Sequence, residues 1–375
     1  MPIDKIDPWM SHEEVGAHLS PDFPSQGSLI SNTFRITMMA ALRTIAFLIP
    51  GFVSASVFPP WSRPFSKDSA SSASETRPLP LVIWHGLGDS YLSEGMKGMS
   101  AMAEEVNPGT YVYAVHLDDS EGGDRQATFM GNVTEQIAYV CEQLASEPIL
   151  STAPAVNALG FSQGGQFLRG YVERCNNPPV RNLVTFGSQH NGIAKYQACA
   201  DTGDWICRGA EALLRLGTWS HLAQSRVVPA QYFRDPEDLE SYLEHSNFLA
   251  DINNERDVKN PDYKARLASL NKFVMYMFEN DETVYPKESA WFAEFNKTTH
   301  NVTELRDRQI YKEDWIGLRE LDKRGKLEFR TVSGAHMKLT EEDVVQVFKD
   351  YFGPVTLDDD GNIVEPPSLV RQGFP

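Results

Sequence analysis

The sequence predicts a strand, a sharp turn and a helix around one serine, a feature that constrains the fold more than any other. The turn, Gly160-Phe161-Ser162-Gln163-Gly164, fits the pattern G-x-S-x-G. It follows an apolar run at 155–159 and precedes a segment, 165–172, that can form a helix. This context is typical of a nucleophile elbow, in which the glycines leave room for a strained serine backbone. We therefore predict that Ser162 is a catalytic nucleophile; the alternative is a glycine-rich turn.

Apolar runs alternate with helical patterns along most of the chain. The predicted strands are residues 79–84, 110–117, 155–161, 181–187, 272–278 and 327–332. The predicted helices are residues 96–105, 130–146, 164–175, 288–296 and 340–352. Continuous apolar strands that alternate with helices indicate a buried, mainly parallel sheet flanked by helices, and therefore an α/β fold.

Residues 188–271 interrupt this alternation. Their length argues against a structureless loop, and they contain helical stretches such as 210–216 and 238–243. We predict a helical insertion over the C-terminal edge of the sheet, where open α/β sheets bind ligands. Six of its apolar residues are candidates to line a groove, although they are equally suited to the insertion's own core: Trp219, Leu222, Val227, Val228, Tyr232 and Phe233.

Residues 1–55 are predicted to be an N-terminal extension that carries a secretory signal at about 35–55. A basic start is followed by a short apolar core and by small residues suited to cleavage after Ala55. Because signals begin near the first residue, we expect translation to start at Met38 or Met39. The alternative is a single-span anchor.

The remaining chain is predicted to divide into a linker, a folded domain and a tail. Residues 56–76 are rich in proline, serine and charge, residues 77–353 form the domain, and residues 354–375 are expected to be a mostly irregular tail. The net charge of −17 argues against nucleic acid and anionic membrane surfaces as main partners. After position 60 there is no apolar run long enough for a transmembrane helix in the mature chain.

Cysteines and glycosylation motifs agree with secretion. The four cysteines, Cys141, Cys175, Cys199 and Cys207, allow three pairings. The short polar segment between Cys199 and Cys207 suggests one small closed loop, which leaves Cys141 to pair with Cys175. Four buried thiols are the alternative. Asparagines in N-x-S/T triplets are Asn132, Asn296 and Asn301.

A serine hydroxyl needs a neighbouring base, and His336 is the predicted one. It follows the sixth predicted strand in Ser333-Gly334-Ala335-His336, precedes the last helix and is the last histidine of the chain. Hydrolases of this type order the three residues as serine, acid and histidine. His190, after the fourth strand, is the second choice, and His300 lies in a polar segment between two glycosylation motifs.

The acid is expected where the fifth strand ends, at Glu279-Asn280-Asp281-Glu282. We predict Asp281, because a side chain at the junction of strand and turn can point along the sheet edge toward His336. Glu279 is expected on a strand face. The alternative for Asp281 is a turn-capping aspartate.

The oxygen that becomes negative during acyl transfer needs two backbone N–H donors. One is the residue after the nucleophile, Gln163, and the other lies in the loop after an early strand. That loop is His85-Gly86-Leu87-Gly88-Asp89, and Leu87 is the predicted donor. His85 is interpreted as a structural residue of the loop.

These motifs together resemble the lysosomal palmitoyl-protein thioesterase family, which has the α/β-hydrolase fold. The resemblance covers about residues 77–353 and rests on segments 78–90, 160–169, 248–253, 280–281 and 334–336. It implies Ser162 as nucleophile, Asp281 as orienting acid, His336 as base, and Leu87 and Gln163 as oxyanion donors. It also implies two disulfides. Tyr91-Leu92 depart from one member of the family, which has adjacent cysteines there.

The resemblance further implies hydrolysis of long-chain acyl thioesters on cysteines of S-palmitoylated proteins, with no metal or cofactor required. It implies the secretory pathway, with delivery to a lysosome or vacuole, or release. The alternatives are an acyl-CoA thioesterase or lipid esterase on the same fold, because the catalytic residues do not distinguish these substrates. A catalytically inactive lipid-binding protein is a further alternative.

Overall fold

The computed structural model describes residues 75–196, 205–215, 217–296 and 298–365. The predicted signal, the start at Met38 or Met39, most of the linker and Cys199 lie outside these residues. Within them, no helix is long and apolar enough to cross a membrane.

Six parallel strands form the central sheet, in the order β3-β2-β4-β5-β6-β9. Each overlaps one of the six predicted strands, so the predicted parallel sheet is confirmed. β4 is buried at all six positions, as its continuous apolar sequence requires. The strands are β1 (Glu75–Arg77), β2 (Leu81–Trp84), β3 (Val112–Ala114), β4 (Val156–Phe161), β5 (Val180–Phe186), β6 (Lys272–Phe278), β7 (Glu294–Phe295), β8 (Val302–Thr303), β9 (Leu327–Val332) and β10 (Val355–Leu357).

Helices lie between the strands and within the insertion. Several begin with a side-chain cap, such as Ser93 before the first helix and Thr340 before the last, where Asp343 completes a capping box. The helices are α1 (Glu94–Val106), α2 (Glu121–Phe129), α3 (Val133–Ser146), α4 (Pro148–Thr152), α5 (Gln163–Arg174), α6 (Trp205–Leu214), α7 (His221–Arg226), α8 (Val228–Gln231), α9 (Leu239–His245), α10 (Leu249–Ile252), α11 (Pro261–Ala268), α12 (Gln309–Lys312), α13 (Leu318–Lys323) and α14 (Glu341–Tyr351).

Hydrophobic cores form on both faces of the sheet. On one face, α1 and α14 contribute Met96, Val344 and Phe348. On the other face, α3 and α5 contribute residues such as Ile137 and Phe167. The predicted arrangement, a sheet flanked by helices, is therefore confirmed.

The register brings the carboxyl ends of the strands to one edge of the sheet. Trp84 at the end of β2 lies opposite Gly160 in β4, and Phe161 at the end of β4 lies opposite Phe186 in β5. Phe278 in β6 lies opposite Val332 in β9. The loops that follow these four strands therefore meet at the same edge, where a parallel α/β sheet places its ligand site.

The insertion between β5 and β6 is helical, as expected, and contains α6 to α11. The helix predicted at 130–146 is α3, which begins only at Val133 because Met130 is extended and Gly131 has φ +143°. The preceding helix α2, which ends at Phe129, was not predicted. The helix predicted at 288–296 is wrong. The chain forms a 3-10 helix at Lys287–Trp291, which ends where Phe292 adopts a left-handed conformation, and then enters β7.

The two ends of the described chain also differ from expectation. Glu75 and Thr76, predicted as the end of the linker, belong to β1. Val355–Leu357, which lie in the segment predicted as a mostly irregular tail, form β10, which pairs antiparallel with β1. Each short strand satisfies the backbone hydrogen bonds of the other, which neither segment reveals on its own.

Candidate active site

Ser162 occupies the turn between β4 and α5, with φ 51° and ψ −121°. Positive φ is strained for a residue with a side chain, so the turn needs close support. A Cβ on Gly160 would lie 2.2 Å from the Cα of Gly165. A Cβ on Gly164 would lie 2.3 Å from the carbonyl oxygen of Trp84. The glycines are therefore required because backbone segments touch here.

His336 lies between Ser162 and Asp281. Its Nε2 is 3.0 Å from Ser162 Oγ, and its Nδ1 is 2.7 Å from Asp281 Oδ2. Ser162 and Asp281 are each 8% exposed. The histidine is thus within hydrogen-bond reach of both partners, the geometry in which a base removes a hydroxyl proton while a carboxylate orients the ring.

Backbone contacts hold the two loops that carry the acid and the base. The N–H of Asn280 donates to the carbonyl of Gly334, at 3.0 Å. Asp281 Oδ1 accepts hydrogen bonds from the N–H groups of Thr283 and Val284, each at 2.9 Å. Asp281 therefore caps its own turn through Oδ1, as the alternative interpretation expected, while its Oδ2 faces His336.

The other candidates for base and acid lie elsewhere. His190 is buried, its Nε2 is 3.0 Å from Thr185 Oγ1, and burial lowers its pKa well below the usual range. His300 is exposed. Glu279 is exposed beyond the end of β6 rather than on a strand face, and it accepts a hydrogen bond from Ser333 Oγ.

His85 pairs with an aspartate that the sequence analysis did not identify. Its Nε2 is 2.9 Å from Asp124 Oδ2, and both side chains are fully buried. Asp124 also accepts the N–H of Tyr91 through Oδ2 and the N–H of Leu117 through Oδ1. One carboxylate of α2 therefore joins the loops after β2 and β3, and His85 is part of this framework, as interpreted.

The two predicted oxyanion donors lie beside the serine. Gln163 is the first residue of α5, where backbone N–H groups have no partner within the helix. The loop after β2 approaches closely, because a Cβ on Gly86 would lie 3.2 Å from Ser162 Cβ. Leu87 follows in this loop and lines the same cavity as Ser162 and His336.

This cavity measures about 520 Å³ and is mostly apolar, within the range of ligand pockets. Of the six apolar residues proposed for a groove, only Tyr232 lines it. Val227 and Val228 are fully buried in the core, and Trp219 packs against Phe233. The sequence analysis also missed lining residues from outside the insertion, and two from within it, Ile193 near its start and Leu214 in α6. Those from outside are Met96, Met99, Phe129 and Met337.

The cysteines within the described residues and the asparagines of the glycosylation motifs lie in or beside helices and at one hairpin. Cys141 and Cys175 form a disulfide that ties α3 to the end of α5. Cys207 lies in α6, but its side chain, like Cys199, is outside the described residues. Exposed asparagines at the β7–β8 hairpin are Asn296 and Asn301, whereas Asn132 caps α3.

The chain also resembles known proteins. The family described as palmitoyl protein thioesterase matches residues 80–336. "Palmitoyl-protein thioesterase 1" of Caenorhabditis elegans is 38% identical over 288 residues, covering 76% of this chain and 95% of the relative. "Palmitoyl-protein thioesterase 3" of Dictyostelium discoideum is 34% identical, covering 74% of this chain and 91% of the relative. "Lysosomal thioesterase PPT2-B" of Xenopus laevis is 25% identical, covering 72% and 90%. The chain therefore belongs to the palmitoyl protein thioesterase family.

Proposed function

We propose that the chain is a serine hydrolase that removes long-chain acyl groups, palmitoyl in particular, from cysteine thioesters of proteins. The observation that carries this proposal is His336 in hydrogen-bond contact with both Ser162 and Asp281, beside an apolar cavity that Ser162 and His336 line. The family match supplies the substrate class.

Acylation begins at the hydroxyl of Ser162. Its Oγ attacks the thioester carbonyl carbon while His336 Nε2 takes the proton, and Asp281 stabilises the imidazolium through Nδ1. The carbonyl oxygen becomes an oxyanion, which accepts hydrogen bonds from the N–H groups of Leu87 and Gln163. The N-terminal end of α5 adds a favourable partial charge.

The tetrahedral intermediate collapses by breaking the C–S bond. The cysteine leaves as a thiolate, which the imidazolium of His336 protonates. A thiol of pKa about 8.5 leaves more easily than an alcohol, so less help from the acid is needed. Water, activated by His336 Nε2, then attacks the acyl-Ser162 ester and releases the fatty acid and the free serine.

The apolar cavity supports a long-chain substrate. Each buried methylene contributes about 0.8 kcal/mol, so burial of an acyl chain contributes far more binding energy than the thioester group alone. Met96 and Met99 of α1 line one part of this cavity, and Ile193 and Tyr232 of the insertion line another. Flexible methionine side chains suit a surface that must accept a chain of varying conformation.

The test is hydrolysis of a palmitoyl-cysteine peptide beside palmitoyl-CoA and a palmitoyl oxygen ester, with the Ser162→Ala variant as control. We expect rapid cleavage of the peptide by the wild-type chain and a loss of nearly all turnover in Ser162→Ala, since the acyl-enzyme cannot form. Cleavage confined to the CoA thioester or to the oxygen ester would refute the proposed substrate. Activity retained by Ser162→Ala would refute the proposed nucleophile.

We further propose a maturation route through the secretory pathway to a lysosome or vacuole. For this route we propose a chain that consists of an extension with a signal at about 35–55, a linker and the hydrolase domain. It also includes a Cys199–Cys207 disulfide and glycans on Asn132, Asn296 and Asn301. Relatives named lysosomal thioesterases support the proposed delivery to a lysosome. N-terminal sequencing of secreted material tests the cleavage after Ala55, because a mature start well before Ser56 would contradict it.

A further inference from the structure

The side chain of Gln163 is held on both sides, although only its backbone N–H is used in the proposed chemistry. The residue is 3% exposed. Its Nε2 donates to the carbonyl of Thr128 at 3.2 Å, and its Oε1 accepts from the hydroxyl of Tyr232 at 3.0 Å. Because the side chain and the backbone of one residue move together, these two contacts help to fix the direction of the Gln163 backbone N–H, the proposed oxyanion donor.

Thr128 extends this network to the loop of the other donor. Its hydroxyl accepts the N–H of Gly88 at 2.8 Å and donates to the carbonyl of Arg125 at 2.7 Å. Gly88 directly follows Leu87 and has φ +80°, a conformation that suits glycine. Thr128, in the last turn of α2, therefore contacts the side chain of the donor Gln163 and the backbone of Gly88, the residue after the donor Leu87.

Tyr232 connects this network to the acyl cavity. Tyr232 lines the cavity and is 3% exposed, and its ring lies 6.4 Å from the ring of Phe167. Burial raises the pKa of its phenol far above the usual value, so the hydroxyl keeps its proton and acts as a donor. The same residue thus lines the cavity and donates its hydroxyl to Gln163.

We propose that Tyr232 is a positioning residue through which an acyl chain in the cavity aligns the Gln163 oxyanion donor. A long chain packs against the ring and keeps the hydroxyl on Gln163 Oε1, whereas a short chain leaves the ring unsupported. Chain length then affects the rate of the chemical step as well as binding. This inference rests on the proposed function for the roles of Ser162 and Gln163.

The experiment measures covalent labelling of Ser162 by alkyl fluorophosphonates with chains of four and sixteen carbons. Labelling requires the nucleophile and the oxyanion donors but no natural substrate. The maximal labelling rate and the half-saturating concentration are determined separately for each chain. In the wild-type protein we expect the maximal rate to be higher for the longer chain. Tyr232→Phe keeps the ring and removes the hydroxyl, and should reduce the ratio of the two rates by about three- to tenfold, the effect of one hydrogen bond.

Two further variants separate positioning from packing. Gln163→Leu keeps the backbone N–H and removes both side-chain contacts, so it should reduce the ratio by itself, and adding Tyr232→Phe should then have no further effect. Tyr171→Phe is the matched control. Tyr171 is a buried tyrosine of α5 whose hydroxyl donates to Pro178 and which does not line the cavity. It should leave the ratio unchanged.

The outcomes are distinct. An unchanged ratio in Tyr232→Phe, a change only in the half-saturating concentration, or an equal effect of Tyr232→Phe in the Gln163→Leu background would each overturn the proposal. A wild-type protein with equal maximal rates for both chains would also overturn it. If the expected labelling pattern appears but a palmitoyl-cysteine peptide is not cleaved, the proposed substrate fails and the positioning role stands.

Discussion

At the scale of single residues, the two oxygens of Asp281 have separate roles. Oδ2 faces the imidazole of His336, and Oδ1 accepts two backbone N–H groups of the following turn. The partners of both oxygens are hydrogen-bond donors, and only a carboxylate can accept from all of them. The orientation of the imidazole is therefore set by the backbone of the turn as well as by the acid.

Replacement of Asp281 by asparagine should lower kcat by about a thousandfold or more while the protein still folds. An amide either presents N–H to the backbone donors or presents it to His336 and favours the tautomer that cannot accept the proton of Ser162. The measurement is kcat on a palmitoyl-cysteine peptide together with the melting temperature. A variant that retains a tenth of the activity would show that another group orients His336.

The second histidine–aspartate pair predicts a different effect. In Asp124→Asn, the amide must face at least one of the donors from His85, Tyr91 and Leu117. Disruption of a buried pair costs about 3–5 kcal/mol, so both the melting temperature and the labelling rate of Ser162 should fall. Asp119→Asn is the control, because its fully exposed carboxylate lies 3.7 Å from His116 in the same region. Equal effects of the two variants would contradict the special role of Asp124.

At the scale of the elements, the sequence predicted the strands well because each is a continuous apolar run bounded by turn residues. The elbow and the segments carrying Asp281 and His336 could be placed at one edge because parallel strands end there. Asp124 could not be found in this way, since nothing in its local sequence shows that it is buried against His85. The lining residues of α1 were also missed, because a pattern reveals which face of a helix is apolar but not which cavity it meets.

The β7–β8 hairpin and the start of α3 carry glycosylation motifs of different kinds. Asn296 and Asn301 are exposed, whereas Asn132 accepts the N–H groups of Thr134 and Glu135 and contacts Asn247. Each asparagine-to-glutamine change should remove one glycan, which is measured as an increase in the gel mobility of the secreted protein. Only Asn132→Gln should also lower stability after enzymatic deglycosylation, by about 1 kcal/mol, because the helix cap is lost. Equal melting temperatures for all three variants would contradict the capping role.

At the scale of the whole molecule, buried ionisable groups link stability to pH. Glu173 is fully buried, with Oε1 2.9 Å from Arg169 Nη1 and no hydrogen-bond partner for Oε2 among the described residues. Burial raises its pKa to about 7, outweighing the opposite effect of Arg169. The folded state therefore holds a proton that the unfolded chain releases near pH 4.5. The stabilisation from this group is complete below that pH and is lost as the pH rises through about 7.

Compared with a variant in which Glu173 cannot titrate, we expect the wild-type protein to gain a few degrees in melting temperature between pH 8 and pH 5. Glu173→Gln, which cannot titrate, should flatten this dependence. Glu135→Gln, which replaces an exposed glutamate in the first turn of α3, is the control and should keep it. A dependence that persists in Glu173→Gln would assign the effect to other groups. Greater stability in acid would suit the lysosomal delivery proposed above.

The pairing of β1 with β10 has a consequence for how the chain can be rearranged. Glu75 lies opposite Leu357, and the chain then turns back so that Val364 lies beside Thr356, which places both ends of the described chain at this ribbon. A short linker could join these ends, and new ends could open in the exposed turn of the β7–β8 hairpin without cutting the central sheet. In such a circular permutant His336 would be translated before Ser162. The order in which the three residues are encoded is thus a matter of ancestry, and only their meeting at the sheet edge concerns the chemistry.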